Sequence, residues 1–219
     1  MSSIRKPATK AKPTRADRRM VRNRKALLGA AETLIAAKGF ERVTIDEIAE
    51  AADLAKGTFY NYFDDKNEIA AELALMIRQE IETAVALAQT GIDDPARRLT
   101  LGMTVFLHTA VTAPNHAAVT GQMYAQWLHP EAIGNEMLRT DLADGYRLGR
   151  FSTADLPAAV VMTIGVVQAG ILRALQLPDS DAVRKLALGL SGLVLRSLGI
   201  KWNEAQAIAT EAITGVFGK

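Results

Sequence analysis

Six residues within seven positions, Lys56, Gly57, Thr58, Tyr60, Asn61 and Tyr62, carry the side chains that hold a nucleic-acid backbone and read base edges. Lys56 can neutralise a phosphate, and Gly57 lets one backbone approach another closely. Thr58, Tyr60 and Tyr62 offer hydroxyls to phosphate oxygens. Asn61 has the amide that bonds an adenine edge bidentately, and an aromatic ring such as Tyr60 can meet a thymine methyl. Taken singly, each residue also fits an ordinary solvated helix face. Two tyrosines with a lysine and a glycine on so short a segment are an unusual way to solvate a surface.

Such residues work only if something holds them outward. Phe59 and Phe63 are four apart and share one helix face, which turns the polar set toward a partner. Before them, Thr44-x-x-Glu47 is a capping box that starts a helix at Thr44. Ile45, Ile48, Ala49 and Ala52 then supply one buried face, and Asp53-Leu54 makes the turn. Upstream, Leu27, Ala31, Leu34 and Ile35 form an apolar stripe closed by Lys38-Gly39, with Arg22, Arg24 and Lys25 on its polar side. Three helices around one small core are predicted, with the third as the candidate for a DNA major groove.

The run Ala55-Lys56-Gly57-Thr58-Phe59-Tyr60-Asn61-Tyr62-Phe63, followed by Asp65-Lys66-Asn67-Glu68, resembles the recognition helix and following helix start of the TetR family of transcriptional regulators. The resemblance extends back through Thr44-Ile45-Asp46-Glu47-Ile48-Ala49 to Gly39-Phe40 and covers residues 21–76. Where many family members have Gly-Val-Ser, this chain has Asp53-Leu54-Ala55, so the usual serine cap and its phosphate hydrogen bond are missing. The resemblance implies an all-α fold: an N-terminal three-helix helix-turn-helix DNA-binding domain and a larger C-terminal helical domain for ligand binding and dimerisation. It also implies a homodimer on a palindromic double-stranded DNA operator, acting as a repressor released by a small effector. Thr44, Lys56, Gly57, Thr58, Tyr60, Asn61, Tyr62, Lys66, Arg22 and Arg24 are the expected DNA contacts, with Lys56 and Lys66 on phosphates.

The formal charge of +2 conceals two opposite halves. Up to Lys25 there are ten basic residues against Asp17 alone, a net +9, and the remainder carries −7. With Pro7, Pro13 and almost no large apolar residues before Met20, residues 1–20 read as a disordered basic arm that tracks phosphates or enters the minor groove, or else as a solubilising tail. Residues 21–66 then form the DNA-binding domain, its helix-turn-helix at 44–63, and residues 67–219 the effector and dimerisation domain.

No apolar segment follows the N-terminal charges, so no signal peptide is expected, and cysteine is absent, as suits a cytoplasmic protein. Residues 156–172 are uncharged but contain Pro157, Gly165, Gln168 and Gly170, which fits a buried or dimer-facing helix better than a membrane span. A phosphate loop, a His-x-x-x-His pair and a local Ser-His-Asp signature are all missing, and His108, His116 and His129 lack metal-ligand spacing. No enzyme, cofactor or metal is therefore expected. The rival readings are a non-specific architectural or RNA-binding protein that uses the basic arm and, behind it, an enzyme with a scattered active site.

Caps and breakers divide the rest into helices of about 65–89, 94–112, 117–128, 130–148, 153–176, 180–198 and 203–216. The helices at 153–176 and 180–198 match the family's dimer-forming pair. Gly165, Ala169, Gly170, Gly189, Ser191 and Gly192 would permit their close approach. Met103, Phe106, Leu107, Met123, Tyr124, Trp127, Met162 and Val166 could line an effector cavity, with His108, Gln122 or Gln168 as polar anchors; the same spacing also fits plain core.

Overall fold

The computed structural model describes residues 14–123, 128–129, 132, 134–152 and 155–218. Ten α-helices and one 3-10 turn, with no strand, make up these residues: α1 (Arg15–Lys38), the 3-10 turn (Phe40–Arg42), α2 (Ile45–Ala51), α3 (Lys56–Phe59), α4 (Lys66–Ala88), α5 (Pro95–Thr112), α6 (Pro114–Gln122), α7 (Glu136–Arg147), α8 (Leu156–Ala174), α9 (Ser180–Ser197) and α10 (Trp202–Phe217). The all-α expectation holds.

Most boundaries follow local chemistry. The side chains of Asp65, Asp94, Asp155 and Asp179 accept backbone N–H groups in the first turns of α4, α5, α8 and α9. The beginning of the chain departs from expectation. Residues 15–20, read as the end of a disordered arm, are the first turns of α1, because Thr14 and Asp17 form a reciprocal capping box. Met20 and Val21 stay exposed, so the cap rather than burial holds this segment. Residues 1–13 of the expected arm lie outside the described residues.

Three other boundaries shift. The helix expected from 117 starts at Pro114, since proline is well suited to the first helical position. The helix expected from 130 starts at Glu136, after a left-handed Gly134 at φ 96°. The last begins at Trp202, with no side-chain cap.

At the centre of the helix-turn-helix, Asp53 adopts φ 55°. Its N–H bonds Glu50 O at 3.0 Å and the N–H of Leu54 bonds Ala49 O at 2.9 Å, the paired bonds of a left-handed helix terminus, with Leu54 packed on the core. Aspartate tolerates this backbone better than most residues but less well than glycine. Asp53→Gly should therefore raise stability by about 0.5–1 kcal/mol, read as a Tm increase of about 1–4 °C by calorimetry.

Two layers of helices stand on α4. Leu27, Ala31, Ile35, Ile48, Phe59 and Phe63 of the N-terminal module share one core with Ile69, Leu73, Ile77 and Val85 of α4 and Val119 of α6. Beyond it α5 is the hub, packed by α4, α6, α7, α8, α9 and α10. Its buried Thr100 and Thr104 satisfy their hydroxyls on carbonyls one turn back. Arg98 ties α5 to Asp141 and Asp144 of α7, and Arg150 chelates Asp94 at 2.9 and 3.0 Å. By length and composition alone α8 could cross a membrane. It packs against α5, α6, α7 and α9.

Candidate DNA-binding surface and effector cavity

The Thr44 hydroxyl accepts the Glu47 N–H at 3.3 Å while Glu47 accepts the Thr44 N–H at 2.9 Å, so α2 starts where the capping box predicts. Lys38 pairs with the same carboxylate. These hydrogen bonds, that from Lys38 foremost, lower the Glu47 pKa to about 2. A depressed carboxylate stabilises the fold above its ordinary titration range and loses that contribution as pH falls through its folded value. The stability advantage of the wild type over Glu47→Gln should thus be full at neutral pH and vanish as pH falls from the ordinary glutamate range to about 2. Urea titrations of the two proteins at stepped pH check this; a pH-independent difference would refute it.

The segment after the turn is shorter than two helical turns. Lys56–Phe59 is one α-helical turn without a side-chain cap, continued by Asn61 and Tyr62 N–H bonds to Thr58 and Phe59 carbonyls. Phe59 and Phe63 are fully buried, with ring centroids 5.7 Å apart. Lys56, Gly57, Tyr60 and Asn61 are exposed, and Thr58 and Tyr62 half-buried, Tyr62 against the core. Lys56 Nζ lies 2.8 Å from Asp46 Oδ1, whose hydrogen bond and charge raise the lysine pKa. A Cβ placed on Gly57 meets nothing within 4 Å, so no internal contact requires the glycine. Arg22 is exposed on α1.

Two expected DNA contacts are placed otherwise. Lys66 Nζ donates to the carbonyls of Phe40, Glu41 and Val43 at 3.3, 3.1 and 3.3 Å and stands over the Phe40 ring. An ammonium has three donors, and all three are spent on the corner between α1 and α2. Arg24 forks onto both oxygens of Glu72 and lies 4.9 Å over the Phe63 ring, tying α1 to α4. Both residues hold the module together in this structure.

Between α4, α5, α7 and α8 lies a cavity of about 70 Å³. Of the residues expected there, Met103, Phe106 and Gln168 line it. Leu107 is buried in a separate cluster, while Met162 and Val166 pack with a third; Met123 packs on the N-terminal core. His108 stacks on Phe217 and faces a groove on the other side of α4. Tyr124 and Trp127 lie outside the described residues. The spacing of hydrophobic residues did not disclose the polar part of the lining: Arg78 and Glu82 of α4, Gln89 at its C-terminal end and Asp141 of α7. Residues 78, 82, 85 and 89 recur every three or four positions, so a charged pair set beside the apolar Ile77, Ile81 and Val85 was the available signal.

These polar groups are largely paired. Arg78 Nε meets Glu82 at 2.8 Å, its Nη2 meets the Gly134 carbonyl and Asn135, and its guanidinium stands 5.4 Å from the Phe106 ring centroid. Burial pushes Glu82 upward against the pull of Arg78. Burial likewise raises Asp141, opposed by hydrogen bonds from Arg98 and Gln89. Arg78 with Glu82 and Asp141 with Arg98 leave the cavity wall close to neutral. Among the described residues no group of His, Asp or Glu is arranged to hold a metal.

An all-α chain with an N-terminal helix-turn-helix and a cavity-bearing helical domain is the architecture of a DNA-binding regulator. The family model for bacterial regulatory proteins of the tetR family matches residues 27–73. This match, the curated relatives and the solved structures below support the TetR family of transcriptional regulators. It is 27% identical over 97 residues to the HTH-type transcriptional regulator EthR of Mycolicibacterium smegmatis, covering 41% of this chain and 42% of that protein. It is 48% identical over 42 residues to the uncharacterised HTH-type regulator YdeS of Bacillus subtilis, covering 19% of this chain and 21% of that one. The chain thus matches less than half the length of either curated relative. Among solved structures, RolR in complex with resorcinol is 29% identical with a TM-score of 0.59, covering 90% of this chain and 96% of that one. A putative TetR-family regulator from Shewanella sp. PV-4 shares the fold at 17% identity and a TM-score of 0.67, covering 82% of this chain and 99% of the other.

Proposed function

We propose that this protein is a repressor that binds a palindromic operator as a homodimer and is released by a small effector held in the cavity between α4, α5, α7 and α8. The observation that carries the reading is the outward face at 56–62: Lys56, Gly57, Tyr60 and Asn61 are exposed on a turn pinned from behind by Phe59 and Phe63. In this reading residues 21–66 bind DNA, with Lys56 and Tyr62 on phosphates and Thr58, Tyr60 and Asn61 toward bases. Residues 67–219 bind the effector and form the dimer, and the protein works in the cytoplasm.

The effector is small, neutral and partly apolar. A volume of about 70 Å³ is far below the roughly 300–1,000 Å³ of drug-sized sites, and a charged ligand would face a wall whose own charges are already paired. The resorcinol complex of the RolR structure supports an effector of single-ring size.

The test is selection of DNA by the pure protein from a random pool, followed by titration of the winning site. A two-fold symmetric site is expected, released by resorcinol or a related neutral phenol. Equal affinity for scrambled DNA at matched salt would overturn the reading. Gly57→Ala sharpens it. Open space around the glycine predicts a protein more stable by roughly 0.5–1 kcal/mol, yet its affinity for the site should drop about tenfold or more, because the added methyl meets the DNA backbone. Unchanged binding by Gly57→Ala would remove close backbone approach from the mechanism.

A further inference from the structure

The cavity and the DNA-binding module are joined through α6 by two glutamines, Gln168 of α8 and Gln122 at the end of α6. Gln168, buried on α8, lines the cavity, and its Nε2 donates to the Thr120 carbonyl at 2.8 Å. Two residues further along α6, the Gln122 Oε1 accepts the Phe40 N–H at 2.8 Å and its Nε2 donates to the Ile35 carbonyl at 3.1 Å. Gln122 thereby clamps the end of α1 to the first residue of the 3-10 turn. The same corner is held from the other side by Lys66, through the carbonyls of Phe40, Glu41 and Val43. Val43 leads directly into Thr44 and the start of α2. Gly121, between Thr120 and Gln122, lets α6 lie so close to α8 that a Cβ there would stand 2.7 Å from a Leu172 methyl.

We infer that Gln168 and Gln122 form a relay that reports occupancy of the cavity to the corner between α1 and α2. The inference rests on the effector reading above and names how that site is regulated. An occupant that takes the Gln168 amide competes with the Thr120 carbonyl for its N–H donors. Without that tether the last turn of α6 no longer fixes Gln122, the Phe40 N–H loses its acceptor, and the angle at which α2 and α3 leave α1 loosens. The effect on DNA follows because both halves of the helix-turn-helix hang from this corner. Gln168 and Gln122 are positioning residues, and neither needs to touch DNA.

Amide hydrogen exchange of the full chain, followed by NMR without DNA or effector, tests this directly. Gln122→Ala should speed exchange of the Phe40 amide about tenfold through loss of its side-chain acceptor, a tenfold change being roughly 1.4 kcal/mol. The decisive variant is Gln168→Met, which keeps side-chain length but removes the donor. It should speed Phe40 exchange by about threefold or more while the Ile213 amide of α10 keeps its protection. Gln168→Glu, which keeps the shape and cannot donate while ionised, should do the same if the methionine variant folds poorly. Unchanged Phe40 exchange in the Gln168 variants, or acceleration spread evenly over the chain, would overturn the relay. Because the readout needs neither operator nor effector, its failure is separate from failure of the repressor reading, which the DNA selection decides.

Discussion

Val161→Asp combined with Leu193→Asp is expected to turn a dimer into a monomer at micromolar concentration and to lower operator affinity by about 100-fold or more. The expectation starts from α8 and α9, whose outward faces have too little polarity for a water-facing pair. Val161, Leu172 and Leu193 are 41%, 40% and 60% exposed, and Ala158, Gly165, Ala169 and Gly189 lie exposed or half-buried beside them. A Cβ on Gly165 or Gly189 meets nothing within 4 Å, which leaves room for a second copy of the same helices to approach closely. A two-fold interface presents each substitution twice, so four carboxylates would be stranded in an apolar contact at several kcal/mol. Once separated, each subunit holds only one half-site, and the gain from binding two major grooves about 34 Å apart is lost. Sedimentation equilibrium and operator titration measure both effects. Leu87→Asp is the control: Leu87 is 77% exposed on α4, away from this face, and its substitution should change neither. Dimerisation unaffected by the double variant, or abolished by the control, would place the interface elsewhere.

Lys66→Ala is expected to lower stability by about 1–2 kcal/mol and Tm by about 2–8 °C, with the salt dependence of DNA binding unchanged. Three carbonyls at the corner between α1 and α2 lose a charge-assisted donor, and the Phe40 ring loses a cation 4.6 Å from its centroid. Because the side chain is half-exposed, water replaces part of what is lost, which sets the effect at the lower end for charged hydrogen bonds. Lys56→Ala should behave in the opposite way. Its partner Asp46 is exposed and stability should hardly move, while the slope of log affinity against log salt should fall by about one, the signature of one phosphate contact. If Lys66→Ala were to leave Tm in place and reduce the salt slope, the lysine would belong to the DNA surface after all. Thermal melts and binding at three salt concentrations distinguish the two cases.

Much of this was legible along the chain. The Thr44-Glu47 box, the aspartates that open α4 and α5, and the Phe59-Phe63 pair depend on residues two to four positions apart. Interactions over that range survive in any fold that contains the helix, so sequence spacing is enough to read them. The polar face at 56–62 was readable for the same reason: once Phe59 and Phe63 point inward, Lys56, Gly57, Tyr60 and Asn61 point out, whereas the half-buried Thr58 and Tyr62 had to be read from the structure.

The roles of individual charges were not legible, because a charged side chain is defined by its partner. Lys66 and Arg24 looked like DNA contacts on a basic module, yet their partners stand 23 to 26 and 48 positions away in the chain. The cavity lining escaped similarly. Of the residues named for an effector cavity, Met103, Phe106 and Gln168 line the one between α4, α5, α7 and α8, but hydrophobic spacing could not tell cavity from core at Leu107, Met162 or Val166, since both put the same residue types on the same helix face. Sequence by itself determined the helices, their caps and which residues face outward at the reading turn, all products of short-range bonding and burial periodicity. Only the tertiary structure decided which cations remain for a partner, where the cavity opens and how Gln168 and Gln122 join it to the DNA-binding module, because those depend on distances between segments that no local rule constrains.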